Sequence, residues 1–286
     1  MRTLLSAGIA LAFLLTACTS DAPDRAEDAT VYDVQGKIVE VVDSHTLIVD
    51  HAPIPGYMAA MKMPFSAKDA QELVGLEPGD AIGFNYTVDE EYTWISGVET
   101  LSSLEAADLD LASYQPERFE PSAESVFLVD APWTTHRGEN ITLADFHGQP
   151  VLMSMVFTRC AYACPMLVSD MRKIAAELPD ELQRELQLVL VTIDPKRDTP
   201  EVLASYADAH RMSDRWTLLH GREADIRTLA ALQGIRYKEG SDGQFSHSNM
   251  ITLLNAEGEI VEQQTGLNVA PERMAAAVQS IAFANK

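Results

Sequence analysis

Two apolar runs constrain the fold of this chain more than any other feature. Residues 151–157 (VLMSMVF) and 186–193 (LQLVLVTI) are almost unbroken, where a strand with one wet face would alternate. Runs of that kind are strands buried on both faces, which implies a sheet with helices packed over it. Helical apolar spacing at 165–178, 200–210, 224–232 and 270–282 supplies those helices. Further strands are expected at 250–254 and 260–264. The pattern predicts an α/β domain of βα units closed by a hairpin and a helix, over residues 123–286.

The first third has a different rhythm. From 31 to 102 short strand patterns (39–42 and 45–51 among them) alternate with turn signals, including Pro-Gly at 55–56 and 78–79, and only 67–74 reads as helix. This predicts a small all-β barrel, OB-like, ahead of a thioredoxin-like α/β domain. Residues 103–122 lose the pattern and contain two prolines, so they are assigned to the linker. A chain of 286 residues accommodates two such domains. A linker of about 20 residues reaches roughly 25 Å, enough for one domain to hand cargo to the other. With 43 acidic against 21 basic residues the net charge is −22, which repels phosphate backbones and argues against a nucleic-acid partner.

At the N-terminus, Arg2 precedes an uncharged, mostly apolar run over 3–17, short of the roughly 20 residues a spanning helix needs. It reads as an export signal, residues 1–17. The run ends Leu15-Thr16-Ala17-Cys18, which resembles a bacterial lipoprotein lipobox and implies lipidation of Cys18. Thr19 and Ser20 in place of an aspartate lean the sorting toward the outer membrane, and 18–30 reads as a polar tether. The only other cysteines are Cys160 and Cys164, which excludes a disulfide-stapled fold. In an exported protein they form a redox pair, a metal site, or both.

Three of the eleven methionines, Met58, Met61 and Met63, fall within six residues. On a strand Met61 and Met63 share a face. His51 ends the preceding strand, and the turn at Pro55-Gly56 could fold it back toward the two sulfurs. Thioethers with an imidazole favour Cu(I). A methionine-lined core beside a surface histidine is the plainer alternative. The segment resembles the periplasmic copper-binding domains of the CusF type, on which His51, Met61 and Met63 carry over as ligands. The tryptophan that covers the metal in that family falls on Met58 here. That leaves two readings: Met58 is a third sulfur ligand, or Tyr57 supplies the aromatic cover.

Phe157-Thr-Arg159-Cys160-Ala-Tyr-Ala-Cys164-Pro165 stands where a strand gives way to a helix. Pro165 suits the first helical position and places Cys164 at about the N-cap, where the helix dipole and Arg159 favour a thiolate. The pair could close a disulfide or chelate a metal. This segment, with Asp194-Pro-Lys-Arg-Asp198-Thr-Pro200, residues 216–221 (WTLLHG) and Ser246-His247-Ser248, resembles the Sco/SenC family of exported thioredoxin-like copper proteins. The resemblance implies copper binding by Cys160, Cys164 and His247, and supply of copper to cytochrome c oxidase. Ser246 departs from the family pattern, in which an acidic or aromatic residue is common before the histidine, and is expected to tune the imidazole. Two thiolates and an imidazole suit Cu(I), and Cu(II) in a more tetragonal arrangement. Asp194 is expected to cap or orient the cysteine loop. His45, His136, His147, His210 and His220 have no partner pattern and read as surface or packing residues.

The reading is therefore a lipid-anchored periplasmic metallochaperone with two copper sites. Its recipient is a cytochrome c oxidase copper-centre subunit or another periplasmic copper carrier. The alternatives are a thiol–disulfide oxidoreductase working through Cys160 and Cys164, which would make the chain an enzyme, and a copper buffer for tolerance.

Overall fold

The computed structural model describes residues 29–89, 92–109, 125–240, 243–268 and 270–284. The signal segment, Cys18, most of the tether and most of the linker lie outside the described residues.

The first unit is a five-stranded antiparallel sheet: β1 (Thr30–Val41), β2 (Thr46–His51), β3 (Met61–Ser66), β4 (Ala81–Val88) and β5 (Thr93–Thr100), in the order β3-β2-β1-β4-β5. Residues alternate buried and less buried along β3, so Met61, Met63 and Phe65 enter the core while Lys62 faces outward toward Asp50. The ladders leave β3 and β5 as the two edges, and a single bridge between Ala67 and Ile95 joins them, so the strand pairing gives an open sheet rather than a closed barrel. The helix expected at 67–74 is one 3-10 turn, Ala70–Leu73, capped by the Asp69 carboxylate. Gly36 sits opposite His51 on β1. A Cβ there would come within 2.5 Å of Val49 Cγ1 and 2.7 Å of the Asp50 carbonyl oxygen, so this close approach of β1 and β2 requires glycine.

Where the linker was expected, the chain first forms a short helix, α1 (Ser103–Asp108). Ser102 and Glu105 make a reciprocal capping box at its start.

The second unit is built on a seven-stranded sheet. Its strands are β6 (Trp133–Thr135), β7 (Asn140–Ile141), β8 (Val151–Val156), β9 (Gln187–Thr192), β10 (Trp216–His220), β13 (Met250–Leu254) and β14 (Ile260–Thr265), ordered β14-β13-β8-β9-β10-β6-β7. The two apolar runs are the neighbouring parallel strands β8 and β9, buried almost throughout. The helices are α2 (Ala163–Ala176), α3 (Asp180–Glu185), α4 (Pro200–Ala209), α5 (Glu223–Leu232) and α6 (Glu272–Ala284). Helix α2 packs on β8, β13 and α6, and α4 packs on β10. Thr199 caps α4 and Pro200 takes its first turn. A separate hairpin, β11 (Tyr237–Glu239) with β12 (Phe245–His247), stands off the main sheet. Among the described residues no helix is long and apolar enough to cross a membrane.

Candidate metal centres

Cys160, Cys164 and His247 converge although the last two are 83 positions apart in the chain. One ligand atom from each lies within 4.8 Å of the others, and all three residues are buried. The exit of β8 supplies the cysteine loop, and β12 supplies the histidine.

Helix α2 starts earlier than the position of Pro165 implies. Ala163 is its first residue and Tyr162, which makes no side-chain capping bond, its N-cap. Cys164 is thus inside the first turn, not at the cap, and Pro165 is the third helical residue. Any of the first three positions tolerates proline, because their N–H groups lack a partner within the helix. Cys160 supplies what Tyr162 does not: its Sγ accepts the Cys164 N–H at 3.3 Å. The helix N-terminus therefore stabilises negative charge on Cys160. Its thiol is held well below the ordinary value by hydrogen bonding to Cys164, against the opposing effect of burial. Burial pushes the Cys164 thiol up, and Cys160 adds to this. The thiolate expected at Cys164 accordingly belongs to Cys160.

The His247 ring is prepared to coordinate. Its Nδ1 lies 3.2 Å from the Ser248 carbonyl oxygen, which can only accept, so Nδ1 carries the proton. Nε2 is left as a buried lone pair with no hydrogen-bond partner. The Phe157 ring meets the imidazole edge to face at 5.8 Å. Ser246, expected to tune that imidazole, alternates away from it, and its hydroxyl lies 3.4 Å from that of Thr93 in the first unit.

Two acids hold the cysteine loop. Asp194 accepts both Arg197 Nη1 contacts, at 3.1 and 3.2 Å, and pairs with Arg159 of the loop at 3.6 Å. Arg159 in turn donates to the Gly243 carbonyl oxygen at 2.6 Å, which ties the loop to the segment leading into β12. Sequence reasoning passed over Asp198. It is buried and accepts the Thr158 N–H at 3.0 Å, the Thr158 hydroxyl at 2.6 Å and the Thr192 hydroxyl at 2.6 Å. Its place in the Asp194–Pro200 motif was the available signal.

In the first unit, β2 and β3 pair His51 directly opposite Met61, and Met63 opposite Val49. Met61 and Met63 are buried in one cluster with Met58 and Phe65, and the buried His51 ring meets Phe65 edge to face at 5.4 Å. His51 repeats the arrangement of His247. Nδ1 lies 2.6 Å from the Ala52 carbonyl oxygen, to which it donates, and Nε2 is buried without a partner. Burial lowers its pKa to about 4, so the imidazole is neutral at neutral pH and its lone pair is available to a metal. Gly56, at φ 71°, lets the chain turn between the two strands, and Met58 closes that turn on Ile54 through paired backbone bonds. Tyr57 stacks on Tyr32, with ring centroids 5.0 Å apart.

The remaining histidines are engaged elsewhere: His136 accepts the Leu218 N–H, His147 and His220 lie beside carbonyl oxygens, His210 packs on Tyr206, and His45 is exposed.

The SCO1/SenC family model matches residues 125–282, more than half of the chain. The chain belongs to the SCO1/SenC family. Residues 31–100 match the family of the copper binding periplasmic protein CusF. A Stutzerimonas stutzeri relative named for copper binding is 30% identical over 148 residues, which is 50% of this chain and 68% of that protein. The human mitochondrial SCO1 homolog is 29% identical over 136 residues, 45% of this chain and 44% of that protein, so the match spans less than half of that relative. The crystal structure of a SCO1/SenC family lipoprotein from Bacillus anthracis superposes with a TM-score of 0.51 at 21% identity, over 57% of this chain and 98% of that one, and shares the thioredoxin-like fold. Copper is the metal for which the CusF family and the Stutzerimonas stutzeri relative are named, and the neutral, soft and thiolate donors of the two centres suit it.

Proposed function

We infer that this protein is an exported copper metallochaperone that carries copper at two sites and supplies it to a cytochrome c oxidase copper-centre subunit or to another periplasmic copper carrier. The observation that carries this reading is the buried convergence of Cys160, Cys164 and the free Nε2 of His247. Cys160 is the thiolate that captures the ion, and Cys164 gives up its proton as its own sulfur binds. His247 completes a soft three-donor set for Cu(I), with Cu(II) held in a more tetragonal arrangement. Asp194, Asp198 and Arg159 position the loop, and Pro165 fits the first turn of α2. In the first unit His51, Met61 and Met63 hold Cu(I), with Met58 the candidate third thioether. Residues 1–17 act as the signal peptide, lipid on Cys18 anchors the chain to the periplasmic face of the outer membrane, and 18–30 serves as the tether. The working domains are then 31–102 and 123–286, joined by 103–122.

A second reading, a thiol–disulfide oxidoreductase, is favoured by the pairing of a Cys160 thiolate with a Cys164 thiol. His247→Ala separates the two. As a chaperone, the variant loses Cu(I) affinity at the second site by roughly 100-fold or more, read by competition with a chelator. Unchanged affinity, with reduction of a test disulfide retained, would turn the reading to the reductase.

A further inference from the structure

The hairpin that carries His247 also contacts both edge strands of the first sheet. Strand β12 packs along β3, the edge strand that bears Met61 and Met63. Asn249, fully buried two residues beyond His247, donates its side-chain amide to the Lys62 main-chain carbonyl, on the residue between those two methionines. On the opposite edge, Thr93 of β5 forms a parallel bridge with Gly240 at the end of β11, and its hydroxyl faces that of Ser246. Arg236, just before the hairpin, lays its guanidinium over the Tyr57 ring at 5.5 Å. Unpaired strand edges are liabilities that proteins cover, and here the cover is the loop system of the other metal centre.

We propose that the first unit is the built-in docking partner of the Cys160/Cys164/His247 centre, and that Cu(I) passes directly between the two centres across the β3–β12 contact. This rests on the two-site reading above. The step is ligand exchange without electron transfer. The bonds from copper to the His51 nitrogen and to the Met61 and Met63 sulfurs break as bonds to Cys160 Sγ, Cys164 Sγ and His247 Nε2 form. Each sulfur that still carries a proton releases it to water, and copper stays Cu(I). Transfer from neutral donors to thiolates runs toward the softer, charged set, so the direction is from the first unit to the second. Holding donor and acceptor in one chain makes the exchange unimolecular.

The test uses the full chain with Cys18→Ser, so that the pair supplies the only thiols. It is reduced and mixed anaerobically with half an equivalent of Cu(I) as its acetonitrile complex, and the copper–thiolate absorption is followed by stopped flow. The expected slow phase keeps one rate constant over a tenfold range of chain concentration. It slows at least tenfold in Arg236→Glu/Thr93→Ala, which touches no proposed ligand, and vanishes in His51→Leu. Thr93→Ala alone serves if the double variant does not fold, and slows the phase at least threefold. A rate proportional to chain concentration, or one unchanged in the interface variants while two Cu(I) still bind, overturns the relay. Fewer than two Cu(I) bound by the parent chain overturns instead the two-site reading beneath it.

Discussion

Residue by residue, the second centre divides labour between like groups. Cys160 and Cys164 have the same side chain, yet the α2 N-terminus and the Cys164 hydrogen bond favour charge on one while burial disfavours it on the other. In the metal-free, reduced chain, iodoacetamide is therefore expected to label Cys160 before Cys164. The Cys160 rate should persist as pH falls below the usual thiol range, because a lowered pKa keeps the thiolate populated there; mass spectrometry of the labelled peptides reads this. Labelling led by Cys164 would contradict it. Asp198 offers a stability test. Asp198→Ala leaves the Thr158 N–H, the Thr158 hydroxyl and the buried Thr192 hydroxyl without their acceptor, and should cost about 2–4 kcal/mol in urea unfolding. His51 gives a pH signature. Its folded pKa of about 4 lies below the unfolded value near 6.5. Its neutral form therefore contributes stability in full above pH 6.5, and this is lost as pH falls toward 4. The loss is on the order of 3 kcal/mol in the metal-free chain. His51→Leu should flatten that slope.

Among the elements, β8 and β9 were readable because burial on both faces writes itself as a continuous apolar run. The shared face of Met61 and Met63 was readable from the period of a strand and the return of His51 toward them from the turn at Pro55-Gly56; the β2–β3 register pairs His51 with Met61. The start of α2 was not, because a sulfur four residues away in the chain takes the place of a capping side chain, and no capping rule encodes that. Helix α1 had a legible signal in Ser102 and Glu105, overshadowed by the prolines that follow. Gly36 is the element-scale test of the first centre. Gly36→Ala drives a Cβ into the β2 backbone, so it should destabilise the first unit by about 1–3 kcal/mol and weaken Cu(I) binding there. The Cys160/Cys164/His247 centre should keep its affinity, as read by competition titration of each site.

At the scale of the whole molecule, the contact between the two units was beyond sequence reasoning. It depends on Asn249 meeting a main-chain carbonyl at Lys62 and on Gly240 meeting Thr93, contacts with no local pattern. What the sequence did convey was two donor sets of related softness, and the structure adds that both present a histidine with Nδ1 held by a carbonyl and Nε2 free. The most direct measurement of that claim is the Cu(I) stoichiometry of the fully reduced full-length chain with Cys18→Ser, titrated against a chromogenic chelator. Two tightly held Cu(I) per chain are expected, falling to one in His51→Leu/Met61→Leu/Met63→Leu and to one in Cys160→Ser/Cys164→Ser. A parent chain that holds fewer than two, or one whose count neither set of substitutions changes, would contradict the account.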